Sequence, residues 1–305
     1  MRLSNIESSE SNYLKAIEYI KNSTHIYSQL YEDDYYELVI NYNLIGSFYT
    51  YIHNYDSATI YLERSLTLAR KIFGENNIYS PGSLNLLARI AYNRGDLKEA
   101  KKLLLESYNQ VKNTYLGPHA TKTTALSNLS IFYSGLGLSD SSRLFIDQAI
   151  NMADELYGPN SYRVAYLKQT AASNNITLGN RIQAAEYYEQ AIKIYDSLFS
   201  KLTPEIIRCK LDYAMNFVEL DQKNTALDLI NSVKSNYISQ KPIDSLNLAD
   251  INSMLSQTLF RMNRLSEAQD LLLDNIELLQ RTKGGDRMLN YNQKLLNKVE
   301  ADLKK

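Results

Sequence analysis

The side chains that could perform catalysis or bind a metal are few and widely separated in this sequence. His25, His53 and His119 form no HExxH motif and no pair at helical spacing. The single cysteine, Cys209, follows Arg208 and is the one candidate nucleophile, but it falls where a helix is expected to pack, so we predict a buried structural thiol. The sequence has no phosphate-binding glycine loop, no GxSxG and no dinucleotide-binding fingerprint. We therefore predict no catalytic residues, no metal and no cofactor.

Charge and hydropathy argue against two further classes of partner. The 305 residues contain 33 Lys+Arg and 34 Asp+Glu, for a formal net charge of −1, and the densest basic run, Lys98, Lys101 and Lys102, alternates with acidic residues. Nucleic acid is therefore not an expected partner. No apolar run reaches the roughly 18 to 20 residues of a membrane helix, so we predict no membrane insertion. One cysteine fits a reducing compartment, which favours a cytoplasmic protein.

The strongest order in the sequence is a unit of 42 residues that is repeated six times. Small residues recur at two positions in each unit, twelve residues apart. Small side chains on both helices of a pair let the backbones approach closely, while larger neighbours fill the space around the crossing. The first position holds Gly46, Ala88, Ser130, Ala172, Ala214 and Ser256, and the second holds Ala58, Ala100, Ser142, Ala184, Ala226 and Ala268.

Glycine and proline divide each unit in the same way. Gly95, Gly137 and Gly179 lie between the two small positions, where a left-handed residue would end a helix, whereas Asp221 and Asn263 replace the glycine in later units. All five prolines lie in the links between units. Apolar residues run at helical spacing and no segment predicts a strand. The pattern predicts helix pairs at 35–72, 80–114, 120–156, 161–199, 204–238 and 246–282.

The N-terminal end of the predicted array, which spans 10–282, holds only half a unit. Ala16 lies 42 residues before Ala58, so residues 10–30 are predicted to form a second helix. Residues 1–9 form a short, polar segment that we expect to be flexible. The unpaired helix would then expose an apolar flank, which predicts self-association through it. This flank is formed by Leu14, Ile17, Ile20 and Ile26.

The C-terminal end is predicted to be a solvating cap. Gly284 and Gly285 interrupt the chain, and residues 286–305 form a Lys-rich helix with apolar residues on one face. A terminal repeat needs such a cover because its flank would otherwise be exposed to water. The apolar residues of this face are Leu289, Leu295, Leu296 and Val299.

These features resemble the tetratricopeptide repeats, whose units are helix–turn–helix with a small residue at the crossing and an alanine opening the second helix. The likeness extends over about residues 11–282 and is strongest in LNLLARIAYNRGDLKEAKKLLLESY (84–108) and in ALSNLSIFYSGLGLSDSSRLFIDQAI (125–150). The 42-residue period is similar to that of the kinesin light chain type. The resemblance implies an all-α, right-handed superhelical solenoid of antiparallel helix pairs, with about 14 helices.

The resemblance also implies where a ligand would bind, because first helices line the concave surface of such a solenoid. Helical spacing from the buried positions then selects the solvent-facing residues of these helices. Amides suit an extended peptide backbone, and Arg89 suits a carboxylate. The predicted peptide-binding groove comprises Asn43, Ser47, Tyr51, Asn85, Arg89, Tyr92, Asn128, Gln169, Ser173 and Arg208, with Ser127, Asp212, Ser253 and Gln257 in the same set. The alternative interpretation is that these are ordinary polar residues of solvent-exposed helix faces.

Two hypotheses for function follow. The first is a non-catalytic scaffold that binds an extended segment of a partner protein along the first helices. The resemblance implies acidic or aromatic ligand segments, whereas the lysine clamp that some family members use for a terminal carboxylate is absent. The second is a sensing or docking arm of a larger signalling or caspase-like protease assembly, to which repeats of this type are sometimes joined.

Overall fold

The fold is all-α, as the sequence predicts. The computed structural model describes residues 10–31, 35–282 and 284–304, and the predicted flexible segment 1–9 lies outside the described residues. Within the described ranges there are fourteen helices and no strand. The chain divides into two compact units, residues 1–156 and 157–305. Each unit is an array of helix pairs, so the predicted repeat solenoid is confirmed.

The first unit begins with an unpaired helix, α1 (Glu10–Leu30), and continues with three pairs. In each pair we call the earlier helix the first helix and the later one the second helix. The pairs are α2 (Tyr36–Tyr51) with α3 (Tyr55–Phe73), α4 (Ser80–Asn93) with α5 (Leu97–Thr114), and α6 (Ala120–Gly135) with α7 (Ser139–Tyr157).

The second unit contains three pairs and ends with an unpaired helix, α14 (Asp286–Leu303), in the position of a first helix. Leu295 and Val299 of α14 are buried, whereas Lys294 and Lys298 are exposed. The pairs are α8 (Tyr162–Thr177) with α9 (Arg181–Leu198), α10 (Pro204–Glu219) with α11 (Lys223–Ser239), and α12 (Ser245–Arg261) with α13 (Leu265–Gln280).

Each pair crosses at the two small residues of its unit, and all twelve of these residues are buried. The contact is close: the Ser130 hydroxyl donates a 2.8 Å hydrogen bond to the carbonyl oxygen of Ser142. At Gly46 an added Cβ would lie 2.5 Å from Cγ of the fully buried Leu62. The crossing therefore has no space for a larger side chain, which explains why only Gly, Ala and Ser occupy it.

The turn inside every pair is closed by one left-handed residue. Gly95, Gly137 and Gly179 have φ of 74–83°, and His53, Asp221 and Asn263 have φ of 60° at the equivalent position. The next residue donates its N–H to the carbonyl five residues earlier, which is the hydrogen bond of a Schellman cap. Examples are Asn54 N to Tyr49 O and Asp96 N to Ala91 O, both at 2.9 Å. The sequence did not reveal that His53 belongs to this set.

A buried hydrogen bond from the second helix to the first recurs at one position of the repeat. The side chain of Ser65 donates to the Val39 carbonyl at 2.8 Å. Ser107 and Asn275, 42 and 210 residues further on, bond in the same way to the carbonyls of Pro81 (3.4 Å) and Ala249 (3.0 Å). Because a buried donor without a partner costs about 1–3 kcal/mol, this position depends on the first helix being present.

The crossing generates a first prediction. Gly46→Val should lower the free energy of unfolding by about 2–3 kcal/mol, because Leu62 cannot move away from the new methyl groups. Urea unfolding followed by circular dichroism measures this. Gly117→Val is the matched control, since a Cβ at Gly117 meets nothing within 4 Å, and it should change stability by less than about 0.5 kcal/mol. Equal effects of the two substitutions would contradict the crossing argument.

The turn generates a second prediction, tested by exchanging residue types between equivalent positions. Gly95→Ala should destabilise by about 1 kcal/mol, because a Cβ is unfavourable at positive φ. His53→Gly should stabilise by about 0.5 kcal/mol, since relief of the same strain exceeds the added entropy of the unfolded chain. Thermal unfolding of both variants checks the signs. A stabilised Gly95→Ala variant would show that the turn is not held in the left-handed conformation.

Candidate functional site

In both units one side of every first helix remains accessible, at positions i, i+4, i+7 and i+11. We call this surface the first-helix face. In α2 its residues are Ile40, Leu44, Ser47 and Tyr51, and in α4 they are Gly82, Leu86, Arg89 and Asn93, all exposed or half-buried. Because the positions recur at intervals of 42 residues, neighbouring first helices contribute equivalent side chains. Ser47, Tyr51, Arg89 and Asn128 in the first unit, and Ser173 and Arg208 in the second, lie on this face.

On the first-helix face of the first unit, a cation is stacked on an aromatic ring. The Arg89 guanidinium carbon lies 5.4 Å from the centre of the Tyr51 ring. The other partner of Tyr51 is the Tyr13 ring of α1, at 5.6 Å and 22° between planes. Arg89 forms no ion pair with any described residue, so its N–H donors remain available to a ligand carboxylate. Tyr51 is 51% exposed and offers apolar contact beside that cation.

The predicted amides Asn43 and Asn85 lie at the edge of the face and are half-buried. Asn43 Nδ2 donates to Ser83 Oγ at 2.8 Å, and Ser83 in turn donates to Ser65 Oγ at 3.1 Å. Asn43 is therefore part of the packing between α2 and α4. Asn85 occupies the same position in α4, but Ala125 stands in α6 where α4 has Ser83, and Asn85 Oδ1 is shielded without a partner among the described residues.

Tyr92 is held at the end of α4 by two contacts with α6. Its ring meets Phe132 edge-on at 6.0 Å, and its hydroxyl lies where a Cβ of Gly135 would be, at 2.1 Å. The ring is fixed in place but still accessible at its edge. Ser127, expected on the solvent side of α6, is buried instead. That expectation was wrong because Ser127 occupies the same repeat position as Asn43 and Asn85, at the edge of the first-helix face and not on its open side.

The second unit presents a different electrostatic surface. Arg208 Nε lies 3.2 Å from Asp212 Oδ1, and Arg208 Nη1 lies 3.6 Å from Asp250 Oδ2. Burial raises the pKa of both carboxyls, although Arg208 opposes the shift. The arginine is therefore already neutralised by carboxylates. Asp250 was missed in the sequence, yet it lies 42 residues after Arg208, and this spacing places the two side chains on adjacent first helices.

Of the other predicted residues in the second unit, Gln169 and Ser253 are hydrogen-bonded to neighbouring residues, and Ser173 is accessible. Gln169 is half-buried and its Oε1 accepts a 3.2 Å hydrogen bond from the Tyr195 hydroxyl. Ser173 is exposed on the face. Ser253 was expected to face solvent but is buried, and its hydroxyl donates to the Ala249 carbonyl at 2.7 Å and contacts Asn292 Oδ1 at 3.2 Å. That expectation was wrong because α14 covers the last pair.

The three histidines and the cysteine do not come together in one site, and each histidine is engaged by a residue close to it in sequence. His25 is bonded to Gln29, His53 to Tyr55, and the His119 ring caps α6 by accepting from the Thr121 N–H. Cys209 is fully buried. In the part of the chain that the structure describes, no group of three or more His, Cys, Asp or Glu residues is placed to hold a metal ion. None of the described helices is long and apolar enough to cross a membrane.

Comparison with known proteins agrees with the repeat geometry. The family pattern described as Tetratricopeptide repeat matches residues 42–79 and 165–197. Both segments start within a first helix and extend through its second helix. Comparison with curated proteins gave no match.

Solved structures share the fold at low sequence identity. BtubC from P. vanneervenii has a TM-score of 0.60 at 17% identity, covering 72% of this chain and 89% of its own. A kinesin light chain-type protein of Podosopora anserina, with nearly identical TPR-like repeats, has a TM-score of 0.55 at 19% identity, with 66% and 96% covered. NprR in complex with its cognate peptide NprX has a TM-score of 0.54 at 16% identity, with 95% and 83% covered.

The period, the crossing, the turn and these matches agree with one another over both units. Local sequence matches identify two of the repeats directly, and the fold extends the same architecture to the others. Residues 42–79 and 165–197 are therefore tetratricopeptide repeats by sequence, and the chain shares the fold of a solved repeat protein of the kinesin light chain type.

Proposed function

We propose that this chain is a non-catalytic interaction scaffold that binds an extended segment of a partner protein on the first-helix face of the first unit. The observation that carries the proposal is the Arg89 guanidinium, stacked on Tyr51 and without a carboxylate partner among the described residues. An exposed cation–π contact contributes only about 0.5–1 kcal/mol, so it orients the guanidinium without occupying its hydrogen-bond donors. A ligand carboxylate can then form a bidentate pair with it.

A comparison of the arginines in the two units supports a ligand segment with an acidic residue that pairs with Arg89. The equivalent surface of the second unit already pairs Arg208 with two carboxylates, and Arg261 with Glu219. Both of these arginines are therefore already engaged. The exposed rings of Tyr51 and Tyr92 would contact apolar or aromatic side chains of the same segment.

Fold likeness supports the same class of function. NprR, similar in fold to this chain, was solved in complex with its cognate peptide. An array of paired helices offers a continuous accessible face within each unit, and such arrays bind partners along extended surfaces. The specific ligand of this chain is argued from its own Arg89 and Tyr51, since a shared fold alone does not assign function.

The test is affinity capture from source lysate with three forms of the chain, read by quantitative mass spectrometry. Arg89→Glu should lose the specific partners, because charge reversal turns attraction for a ligand carboxylate into repulsion, with capture falling at least about tenfold. The matched control is Arg64→Glu, since Arg64 is also exposed and lies 5.7 Å from the Tyr61 ring, but on the second helix α3. Capture that is unchanged by Arg89→Glu, or equally reduced by both variants, would refute the proposed site.

The non-catalytic assignment generates a prediction for Cys209. Burial raises the pKa of its thiol to about 12, so the folded protein at pH 8 contains almost no thiolate to act as a nucleophile. A chromogenic disulfide reagent at pH 8 should therefore give no signal with the folded chain and one equivalent of thiol after addition of denaturant. Rapid reaction of the folded chain would argue for an accessible, activated thiol.

A further inference from the structure

The unpaired helix α1 carries nearly the same side chains as the side of α3 that α2 covers, but no described helix covers them on α1. Moving forward 42 residues takes a stripe on α1 to an almost identical stripe on α3. On α1, Tyr19, Ile26 and Leu30 are strongly exposed, at 74%, 54% and 68%. Their equivalents on α3 are half-buried, and Ser65, the serine of the α3 stripe, is fully buried. The stripe consists of Tyr19, Ser23, Ile26 and Leu30, and its equivalents are Tyr61, Ser65, Leu68 and Ile72.

The chain itself shows what covers such a stripe. The first helix α2 packs on α3, with the Tyr42 and Tyr49 rings at 6.2 and 5.8 Å from the Tyr61 ring. The Ser65 hydroxyl bonds to the Val39 carbonyl of the same first helix. In front of α1 the corresponding first helix is missing from the described residues. The missing cover is therefore a helix of the α2 type, and continuity of the repeat interface specifies its position.

A polar group beside α1 also lacks a partner among the described residues. In the complete pair, Asn43 donates to Ser83, and Ser83 donates to Ser65. The equivalents of Ser83 and Ser65, 42 residues earlier, are Asn41 and Ser23. Asn41 Nδ2 is shielded from solvent and has no hydrogen-bond partner among the described residues. A shielded donor of this kind is unfavourable until a partner satisfies it.

We propose that α1 and the adjoining part of α2 form a docking site for an amphipathic helix of a partner protein. The docked helix lies along α1 in the place that α2 occupies on α3. It has a small residue at the crossing and, three residues earlier, an amide or hydroxyl side chain that bonds to Asn41. Apolar or aromatic residues on the same side cover Tyr19, Ile26 and Leu30. This site is separate from Arg89 and does not depend on the function proposed above.

The other unpaired helix of the chain does not fit this site. Counting in steps of 42 from Gly46 places Lys298 of α14 at the crossing position. Its open side also presents Lys294 and Asn297, and all three residues are exposed. A lysine cannot replace glycine at a crossing as close as the one described above. End-to-end joining of two copies through α14 and α1 is thus disfavoured, and a partner with a small crossing residue is required.

The test uses a fluorescent peptide of residues 35–53 with a short lysine tail as the probe, because α2 is the helix that covers the equivalent stripe. Fluorescence anisotropy should show saturable binding to the full chain. The double variant Tyr19→Glu/Ile26→Glu should weaken binding at least about tenfold. The control is Leu14→Glu, since Leu14 is 48% exposed on α1 but lies in the position of exposed Asp56; it should leave affinity within about twofold. Circular dichroism confirms that all three forms remain folded.

A second probe carries Gly46→Leu, which places a large residue at the crossing and should abolish binding. No binding of the first probe, equal binding to the double variant, or equal binding of both probes would overturn the proposal. Sedimentation of the chain alone provides the remaining outcome. A dimer that the double variant dissociates would assign the stripe to a second copy of this chain, and the partner-helix proposal would then be rejected.

Discussion

The close approach of two helices at a pair of small residues is the constraint on which the rest of this structure depends. At Gly46 and Leu62 the distance between helices is so small that even one added carbon would collide with a buried side chain. Because the small residues return every 42 residues, each first helix meets its second helix through equivalent positions. Those contacts decide which positions are buried and which are accessible in all six pairs.

A fixed crossing separates the residues that build the fold from those that are free to vary. The first-helix face can change its chemistry from one repeat to the next without disturbing the core. Arg89 in the first unit is backed by an aromatic ring and keeps its donors, whereas Arg208 in the second is held by Asp212 and Asp250. The two units therefore share an architecture and differ in the charges that their first helices present, which is why function in a repeat protein must be argued from individual side chains.

The same repetition makes the ends of the array informative. Interior hydrogen bonds such as Asn43 to Ser83 require a neighbour one repeat away, so a terminal repeat loses a partner on one side. On α14 the accessible side is polar and includes Lys294 and Lys298. At α1 the accessible side carries Tyr19, and beside it on α2 the Asn41 amide has no partner among the described residues, which is the composition of an interior surface. This asymmetry between the ends is the physical basis for treating α1 as an interface.

The sequence by itself determined the period, the helix pairs and the small crossing residues, because helical spacing and turn chemistry are local and are repeated six times. It did not reveal the left-handed His53, because the turn glycines from which the position was identified start only at Gly95, 42 residues later. Only the tertiary structure showed that Ser127 and Ser253 are buried and that Arg208 meets Asp250. Those outcomes depend on how closely neighbouring helices pack and on which of their side chains come within hydrogen-bonding distance. The distance between helices of different repeats cannot be read from the periodicity within one helix.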